Sequence, residues 1–100
     1  MPNEVKLVVL ISTQPGRGQA QIDAFEQLAL LVREEQGCLQ YDLHPVADDQ
    51  DRFVLIERWA SQAALDAHGV TPHMVAAGTH NATFRAGPST VLLLGPLIAA

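Results

Sequence analysis

The segment that most limits the possible folds is residues 5–12, VKLVVLIS, which is β-branched and almost continuously apolar. Such a run is typical of a strand that is covered on both faces. A chain of 100 residues predicts a single domain, spanning 1–100, with a modest core of its own, yet 48% of the residues are apolar. Because one small subunit cannot easily cover both faces of such a strand, the sequence predicts a subunit interface, and we expect a homodimer.

Strand and helix patterns follow one another in the order β-α-β-β-α-β. Apolar residues recur at helical spacing from Gln19 to Glu35, and Gly37 supplies a stop. Alternating or apolar patterns at 38–44, 52–59 and 89–95 predict three further strands. The order predicts an α+β fold of the ferredoxin-like split type, with a four-stranded antiparallel sheet.

The second helix is predicted to be broken. Ser61 is a good N-cap for a short helix that ends at His68, with Gly69 in the left-handed position after it. Thr71-Pro72 then reads as an N-cap followed by an N1 proline, and this helix should run to about Arg85. On the strand at 38–44, alternation predicts a shared face for Leu39, Tyr41 and Leu43.

Composition excludes several classes of function. The net charge of −5 and an aromatic content of 5% argue against nucleic-acid binding. No apolar run reaches the length of a membrane span, and the first residues do not read as an export signal. Cys38 is the single cysteine, which leaves no disulfide framework. We therefore expect a soluble, cytoplasmic protein.

Cofactor motifs are missing from the sequence. The segment at 16–21, GRGQAQ, lacks the third glycine of a dinucleotide-binding loop. His68, His73 and His80 do not fall at the spacing of a zinc-binding HExxH helix, and Pro72 breaks the helix that would align the first two. The sequence predicts a protein without a flavin, haem or metal cofactor.

The segment EEQGCLQYDLHPVADDQDRFVLIERWASQAALDAHGVTPH, residues 34–73, resembles the central signature of the antibiotic biosynthesis monooxygenase (ABM) family. The shared pattern is E-x-G-C-x-x-Y-x-L-H, then F-x-x-x-E-x-W, then Leu-x-x-His and a Pro-His corner. The resemblance implies a dimeric α/β barrel in which two sheets face each other, with a ligand pocket between sheet and helices in each subunit. It also implies a monooxygenase that works without a cofactor.

An oxygenase without a cofactor must take its electrons from the substrate. This requirement selects an electron-rich aromatic, either quinol-like or a polycyclic phenol, which loses a proton and reacts with O2. The protein then needs an apolar pocket, a base and a few orienting donors.

The histidine corner supplies the first candidates for the base. His68 is predicted near a helix C-terminus, where the helix dipole favours a charged, solvated imidazolium. His73 is predicted at the next helix N-terminus, where the neutral ring is favoured. The two rings would then form an acid/base pair. The alternative is that both rings cap backbone groups at a tight corner.

Glu57 is the third catalytic candidate. It shares a strand face with Phe53, Leu55 and Trp59, so its carboxylate needs a partner or a raised pKa if that face is covered. It would serve as a general base or as an anchor for a substrate hydroxyl. The alternative is an ion pair with Arg52, or with Arg58 of the partner subunit.

Three residues are candidates for the substrate pocket, although aromatic side chains are more often part of the core. The remaining histidines and the cysteine read as structural or solvated. The pocket candidates are Tyr41, Trp59 and Met74, and the structural ones are His44, His80 and Cys38.

Three other functions are the alternatives to a cofactor-independent monooxygenase. The haem-degrading subgroup of the family needs an asparagine on the first strand, which residues 5–12 lack. An isomerase of a small phosphorylated signal would need clustered basic residues, and the arginines are scattered along the chain. A non-catalytic ligand-binding or stress-related dimeric domain would keep the same pocket. Convergence of Glu57, His68 and His73 on one cavity would favour the enzyme.

Overall fold

A computed structural model of the chain describes residues 3–99. The elements, in chain order, are β1 (Val5–Ser12), α1 (Gly18–Val32), β2 (Cys38–Val46), β3 (Asp49–Trp59), α2 (Gln62–Gly69), α3 (Pro72–Asn81) and β4 (Thr90–Leu93). The four strands form one sheet in the order β2-β3-β1-β4, and every neighbouring pair is antiparallel. This is the predicted ferredoxin-like split β-α-β-β-α-β fold, with α2 and α3 standing in place of one second helix.

The helices cover one face of the sheet. On that face, Leu7, Val9 and Ile11 of β1 pair with Glu57, Leu55 and Phe53 of β3, and all six side chains are buried. Ala29 and Val32 of α1, Tyr41 of β2 and Trp59 of β3 join the same core.

The opposite face of the sheet carries a second apolar cluster, the open sheet face: Val8, Leu10, Val54, Ile56 and Leu92. Val8 pairs with both Ile56 and Leu92, and Leu10 pairs with Val54, so these side chains share one face. Leu10 is 39% exposed and Leu92 is 45% exposed in the single subunit. The homodimer remains a prediction, and this uncovered apolar face is its main support.

Two turns differ from the sequence prediction. Helix α1 ends at Val32, one turn before the predicted Glu35, and a turn containing Glu35 leads to Gly37. The polar turn predicted between β2 and β3 shrinks to Ala47 and Asp48, because both strands extend further into it than alternation indicated.

The prediction of which β2 residues share one face of the sheet was partly wrong. A β-bulge between Cys38 and Gln40 displaces Leu39, which is 49% exposed, and Cys38 takes the inward position opposite Trp59. Tyr41 and Leu43 face the core as predicted, but Leu39 does not share their face. A bulge inserts one unpaired residue and so reverses the alternation on one side of it.

The two short helices begin as predicted and end differently. Gly69 is the last residue of α2, and Val70, with φ −108°, follows it as the C-cap. The left-handed glycines are Gly16 and Gly37 instead. Helix α3 ends at Asn81, and hydrogen-bonded turns continue to Arg85.

Among residues 3–99, no helix is both long and apolar enough to cross a bilayer.

Candidate active site

The carboxylate of Glu35 lies at the centre of a buried polar cluster. His68 Nδ1 lies 3.1 Å from Glu35 Oε1 and 3.0 Å from Oε2. His73 Nε2 lies 2.7 Å from Glu35 Oε2. Glu35 reaches these rings from the turn after α1, which Gly37 closes with a φ of 85°. One carboxylate thus joins the two imidazoles that the sequence had singled out.

Hydroxyl groups cap the two short helices, so the imidazoles are free for other contacts. Ser61 Oγ accepts from the backbone N–H of Ala64 at 3.1 Å. Thr71 Oγ1 accepts from the N–H of Met74 at 3.3 Å and donates to the carbonyl of His68 at 2.9 Å. The alternative that the histidine rings cap backbone groups is therefore wrong, since both rings bond a carboxylate instead.

His68 is buried rather than solvated. Its position in the last turn of α2 is as predicted, but the residue is only 4% exposed. Its ring lies 4.5 Å from the Trp59 ring and 5.9 Å from that of Tyr41, measured between centroids. The expectation of a solvated ring failed because α2 packs this residue against the sheet.

Glu57 has its partners inside its own subunit. Trp59 Nε1 donates to Glu57 Oε1 at 3.0 Å, and His68 Nε2 lies 3.9 Å from the same oxygen. Burial raises the pKa of Glu57, while the Trp59 hydrogen bond and His68 act in the opposite direction. Arg58 lies on the other face of β3 and pairs with Glu4. Within the subunit, this network and not an ion pair with Arg52 holds the Glu57 carboxyl, while a pair with Arg58 of the partner subunit stays a prediction.

A cavity of about 590 Å³ lies between α1, α3 and the sheet. Its middle is apolar, with Ala24, Phe25, Leu28, Leu43, Leu55 and Ala77 among the lining residues. His73 and Tyr41 also line it. Tyr41 stacks on Phe25 at a centroid distance of 5.6 Å, and burial raises the pKa of its phenol. The volume and apolar lining suit a small aromatic ligand.

Of the three catalytic candidates, only His73 reaches this cavity. Glu57 and His68 lie behind it, and they connect to His73 through Glu35. Trp59 is 0% exposed and belongs to the core, and Met74 also packs against the core. The prediction that these two residues line the pocket is therefore wrong. One position along α3 from His73, the helix has turned Met74 away from the cavity.

The ABM family model, "Antibiotic biosynthesis monooxygenase", matches residues 5–79 of the chain. The chain belongs to the antibiotic biosynthesis monooxygenase family. The match covers the first three strands, all of α1 and α2, and most of α3, so it includes Glu35, Glu57, His68 and His73.

Relatives of this ABM protein include the Escherichia coli protein named "Probable quinol monooxygenase YgiN". It is 37% identical over 82 residues, which cover 70% of this chain and 77% of that one. The solved structure of Rv0793 from Mycobacterium tuberculosis is 30% identical, has a TM-score of 0.86 and covers 98% of this chain and 99% of its own. The structure of PA3566 from Pseudomonas aeruginosa is 31% identical, with a TM-score of 0.86 and 96% coverage of both chains.

Sequence reasoning missed three residues of this ABM site. Glu35 opens the E-x-G-C pattern of the family signature, which was the available signal, but helical periodicity assigned it to the end of α1. His80 and Arg85 also line the cavity. Polar residues within a helical pattern are usually exposed to solvent, so nothing in the sequence indicated that these two face a pocket.

Cys38 and His44, which the sequence analysis assigned no catalytic role, do not line the cavity. Burial raises the pKa of Cys38, and the nearby carboxylates of Glu35 and Glu57 add to this effect, so the thiol is not activated. His44 is exposed on β2. Within the described range 3–99, no group of three or more His, Cys, Asp or Glu side chains could hold a metal ion.

Proposed function

We propose that this protein is a cofactor-independent monooxygenase that oxidises a quinol-like or polycyclic phenolic substrate with O2. The observation that carries the proposal is His73, an imidazole that lines an apolar cavity while the largely buried carboxylate of Glu35 holds its Nε2. The quinol named for the E. coli relative agrees with this class of substrate.

The net reaction balances without an external reductant. A hydroquinone and O2 give a hydroxyquinone and water. One oxygen atom is inserted at a ring C–H bond, and the other leaves as water with two hydrogens of the substrate. The substrate supplies all four electrons, two through the new C–O bond and two through oxidation of the quinol to the quinone.

His73 is the proposed general base. When its Nε2–H donates to Glu35, the lone pair of Nδ1 is available to accept the substrate's phenolic proton. Deprotonation gives the electron-rich phenolate that reacts with O2. The apolar lining excludes water and so favours reaction of the phenolate with O2 inside the cavity.

Glu35, His68 and Glu57 are proposed as positioning residues. Glu35 fixes the orientation of the His73 ring and stabilises the imidazolium that forms, as a carboxylate does behind a catalytic histidine. His68 in turn lies between the Glu35 carboxylate and the buried Glu57 carboxyl, and Trp59 Nε1 donates to Glu57. Tyr41 is proposed to contact the substrate ring.

Oxygen uptake tests this proposal directly. Dialysed, chelator-treated protein is supplied with a panel of hydroquinones and naphthols in an oxygen electrode, and the products are analysed after reaction with ¹⁸O2. We expect uptake above the rate of autoxidation and one labelled oxygen atom in the product. Ligand binding without any uptake would support the non-catalytic binding domain instead, and uptake that chelation abolishes would contradict the absence of a cofactor.

A further inference from the structure

The cavity has two polar ends separated by apolar residues. Helices α1 and α3 run in opposite directions along it, because Glu35, after the end of α1, meets His73 at the start of α3. At the other end, Gln21 in the first turns of α1 meets Arg85, just beyond α3. His73 and Asn81 are eight positions apart on α3, which corresponds to about 12 Å of helix.

Arg85 is held at this second end by its backbone, whose carbonyl accepts from Gln14 Nε2 at 3.4 Å, and its guanidinium is held by one neutral side chain. The backbone N–H of Arg85 donates to the carbonyl of Asn81 at 2.9 Å, and the residue forms an isolated β-bridge with Thr13. Its Nε donates to Gln21 Oε1 at 3.0 Å, and Gln21 is only 3% exposed. The guanidinium therefore has a fixed direction at the cavity wall.

The charge of Arg85 has no carboxylate partner in the part of the chain that the structure describes. Burial lowers the pKa of the guanidinium, with the Tyr41 phenol opposing this change. Asp23 also lines the cavity, but its Oδ1 accepts from Gln19 Nε2 at 2.9 Å. The Asp51 carboxylate is occupied by the N–H groups of Gly16 and Gly18 and by Thr13.

Two other potential cations line the same end, Arg17 and His80. A half-buried cation with a single neutral partner is stabilised when an anion binds beside it. Four of the five guanidinium N–H donors of Arg85 lie beyond the bond to Gln21, in a planar fork that matches a carboxylate.

We propose that Arg85 forms an anion subsite, and that this subsite selects aromatic ligands that carry a carboxylate at the end remote from the reacting phenol. The proposal deepens the proposed function, because the bound aromatic acid would present its hydroxylated ring to His73. The roughly 12 Å of α3 between His73 and Asn81 sets the scale of the ligand, for which we take two fused rings with a carboxylate. The largely apolar lining favours a monoanionic carboxylate over a phosphate, because burying a second negative charge costs more.

Binding of redox-inert probes tests the subsite without requiring any chemistry. The dissociation constants of 2-naphthoate and methyl 2-naphthoate are measured by calorimetry on the full chain. The two probes share their rings and differ in charge. We expect 2-naphthoate to bind about 10- to 100-fold more tightly, the range of a hydrogen bond to a charged group. Equal affinity, tighter binding of the ester, or no measurable binding of 2-naphthoate would overturn the proposal.

Substitutions of Arg85 test whether this residue causes the preference for 2-naphthoate over its methyl ester. Arg85→Gln should abolish the preference for the acid, Arg85→Lys should keep part of it, and Arg33→Gln, whose side chain pairs with Asp42 and does not line the cavity, should leave it unchanged. Retention of the full preference in a folded Arg85→Gln variant would overturn the assignment to Arg85. Tighter binding of 2-naphthyl phosphate than of 2-naphthoate would overturn the choice of a carboxylate.

Because none of these probes is oxidised, the outcome is independent of the monooxygenase proposal. Loss of oxygen uptake on every hydroquinone would leave the binding preference intact if the subsite is real. Conversely, loss of the preference would leave the role of His73 untouched.

Discussion

Glu35 is the residue on which the geometry of the site depends most. Its carboxylate bonds both His68 and His73, although it precedes them by more than thirty residues in the chain. Local sequence patterns place the two histidines at helix ends, and the structure confirms those positions. They do not reveal which side chain the rings meet, because that contact forms only when the turn after α1 packs beside the α2–α3 corner.

Replacing Glu35 by Gln keeps the size of the side chain and removes its charge. We expect kcat/KM on an accepted quinol to fall about 10- to 100-fold, because a hydrogen bond to a charged group contributes about 1.5–3 kcal/mol. Steady-state oxygen uptake measures the effect.

The matched control is Glu34→Gln, an exposed carboxylate one position earlier in the same turn. It should leave the rate unchanged. A Glu35→Gln variant with lower stability but a wild-type rate would assign Glu35 a structural role only.

The buried carboxyl of Glu57 predicts a dependence of stability on pH. Burial raises the pKa of Glu57 above its value in the unfolded chain. Its contribution to stability is therefore fully present below the unfolded pKa of about 4.3 and is lost as the pH rises through the higher folded value. Glu57→Gln removes this loss, so the variant should gain stability relative to the wild type as the pH rises from about 4 to 7.

Urea unfolding of both proteins at fixed concentration across that range checks the sign of the effect. The same difference in the free energy of unfolding at every pH would show that the carboxyl titrates alike in the folded and unfolded states.

At the scale of elements, the order and type of strands and helices followed from the sequence, because apolar periodicity and capping residues act locally. The ends of α1 and α3 did not follow, since the turns after them are set by contacts with other elements. The bulge in β2 was also missed. Alternation assumes an uninterrupted pleat, and one extra residue at Leu39 brought Cys38 to the inner face.

The turn between α1 and β2 requires glycine at position 37. Gly37 has a φ of 85°, and a Cβ built there would lie 2.6 Å from the Ala64 Cβ. Gly37→Ala should therefore destabilise the protein by about 1–2 kcal/mol or more from the left-handed backbone alone, with further loss from the clash against α2. Because a 100-residue domain loses roughly 4–8 °C of Tm per kcal/mol, calorimetry resolves the effect readily.

Gly69→Ala is the control for that substitution. Gly69 lies at the end of α2 with no heavy atom within 4 Å of an added Cβ and without a positive φ. Alanine there should leave stability unchanged or raise it by about 0.5–1 kcal/mol. If Gly37→Ala and Gly69→Ala shift Tm equally, the turn does not constrain the fold as described.

At the scale of the whole molecule, the open sheet face predicts dimerisation. The sequence predicted that both faces of β1 are covered, but the helices cover only one. The other face carries a cluster of apolar side chains: Val8, Leu10, Val54, Ile56 and Leu92. Burying this face against a second copy would complete the α/β barrel that the family resemblance implies.

Sedimentation of the wild type at low micromolar concentration should show a dimer. Ile56→Asp should give monomers or aggregates, because it places a charge in the centre of the apolar face. Val75→Asp, on an exposed position of α3, should remain dimeric. A stable wild-type monomer would contradict the expected assembly, as would an Ile56→Asp variant that dimerises like the wild type.

The proton-accepting role of His73 is the central claim, and the turnover of His73→Ala on a quinol that the wild type oxidises tests it most directly. The comparison is His80→Ala, measured on a quinol without a carboxylate, since His80 lines the same cavity but lies at the end remote from His73. Loss of a general base should lower kcat by about 10²–10⁴-fold in His73→Ala, while His80→Ala keeps a rate close to that of the wild type. A His73→Ala variant with wild-type turnover and reduced thermal stability would show that the histidine corner is structural and that the base lies elsewhere.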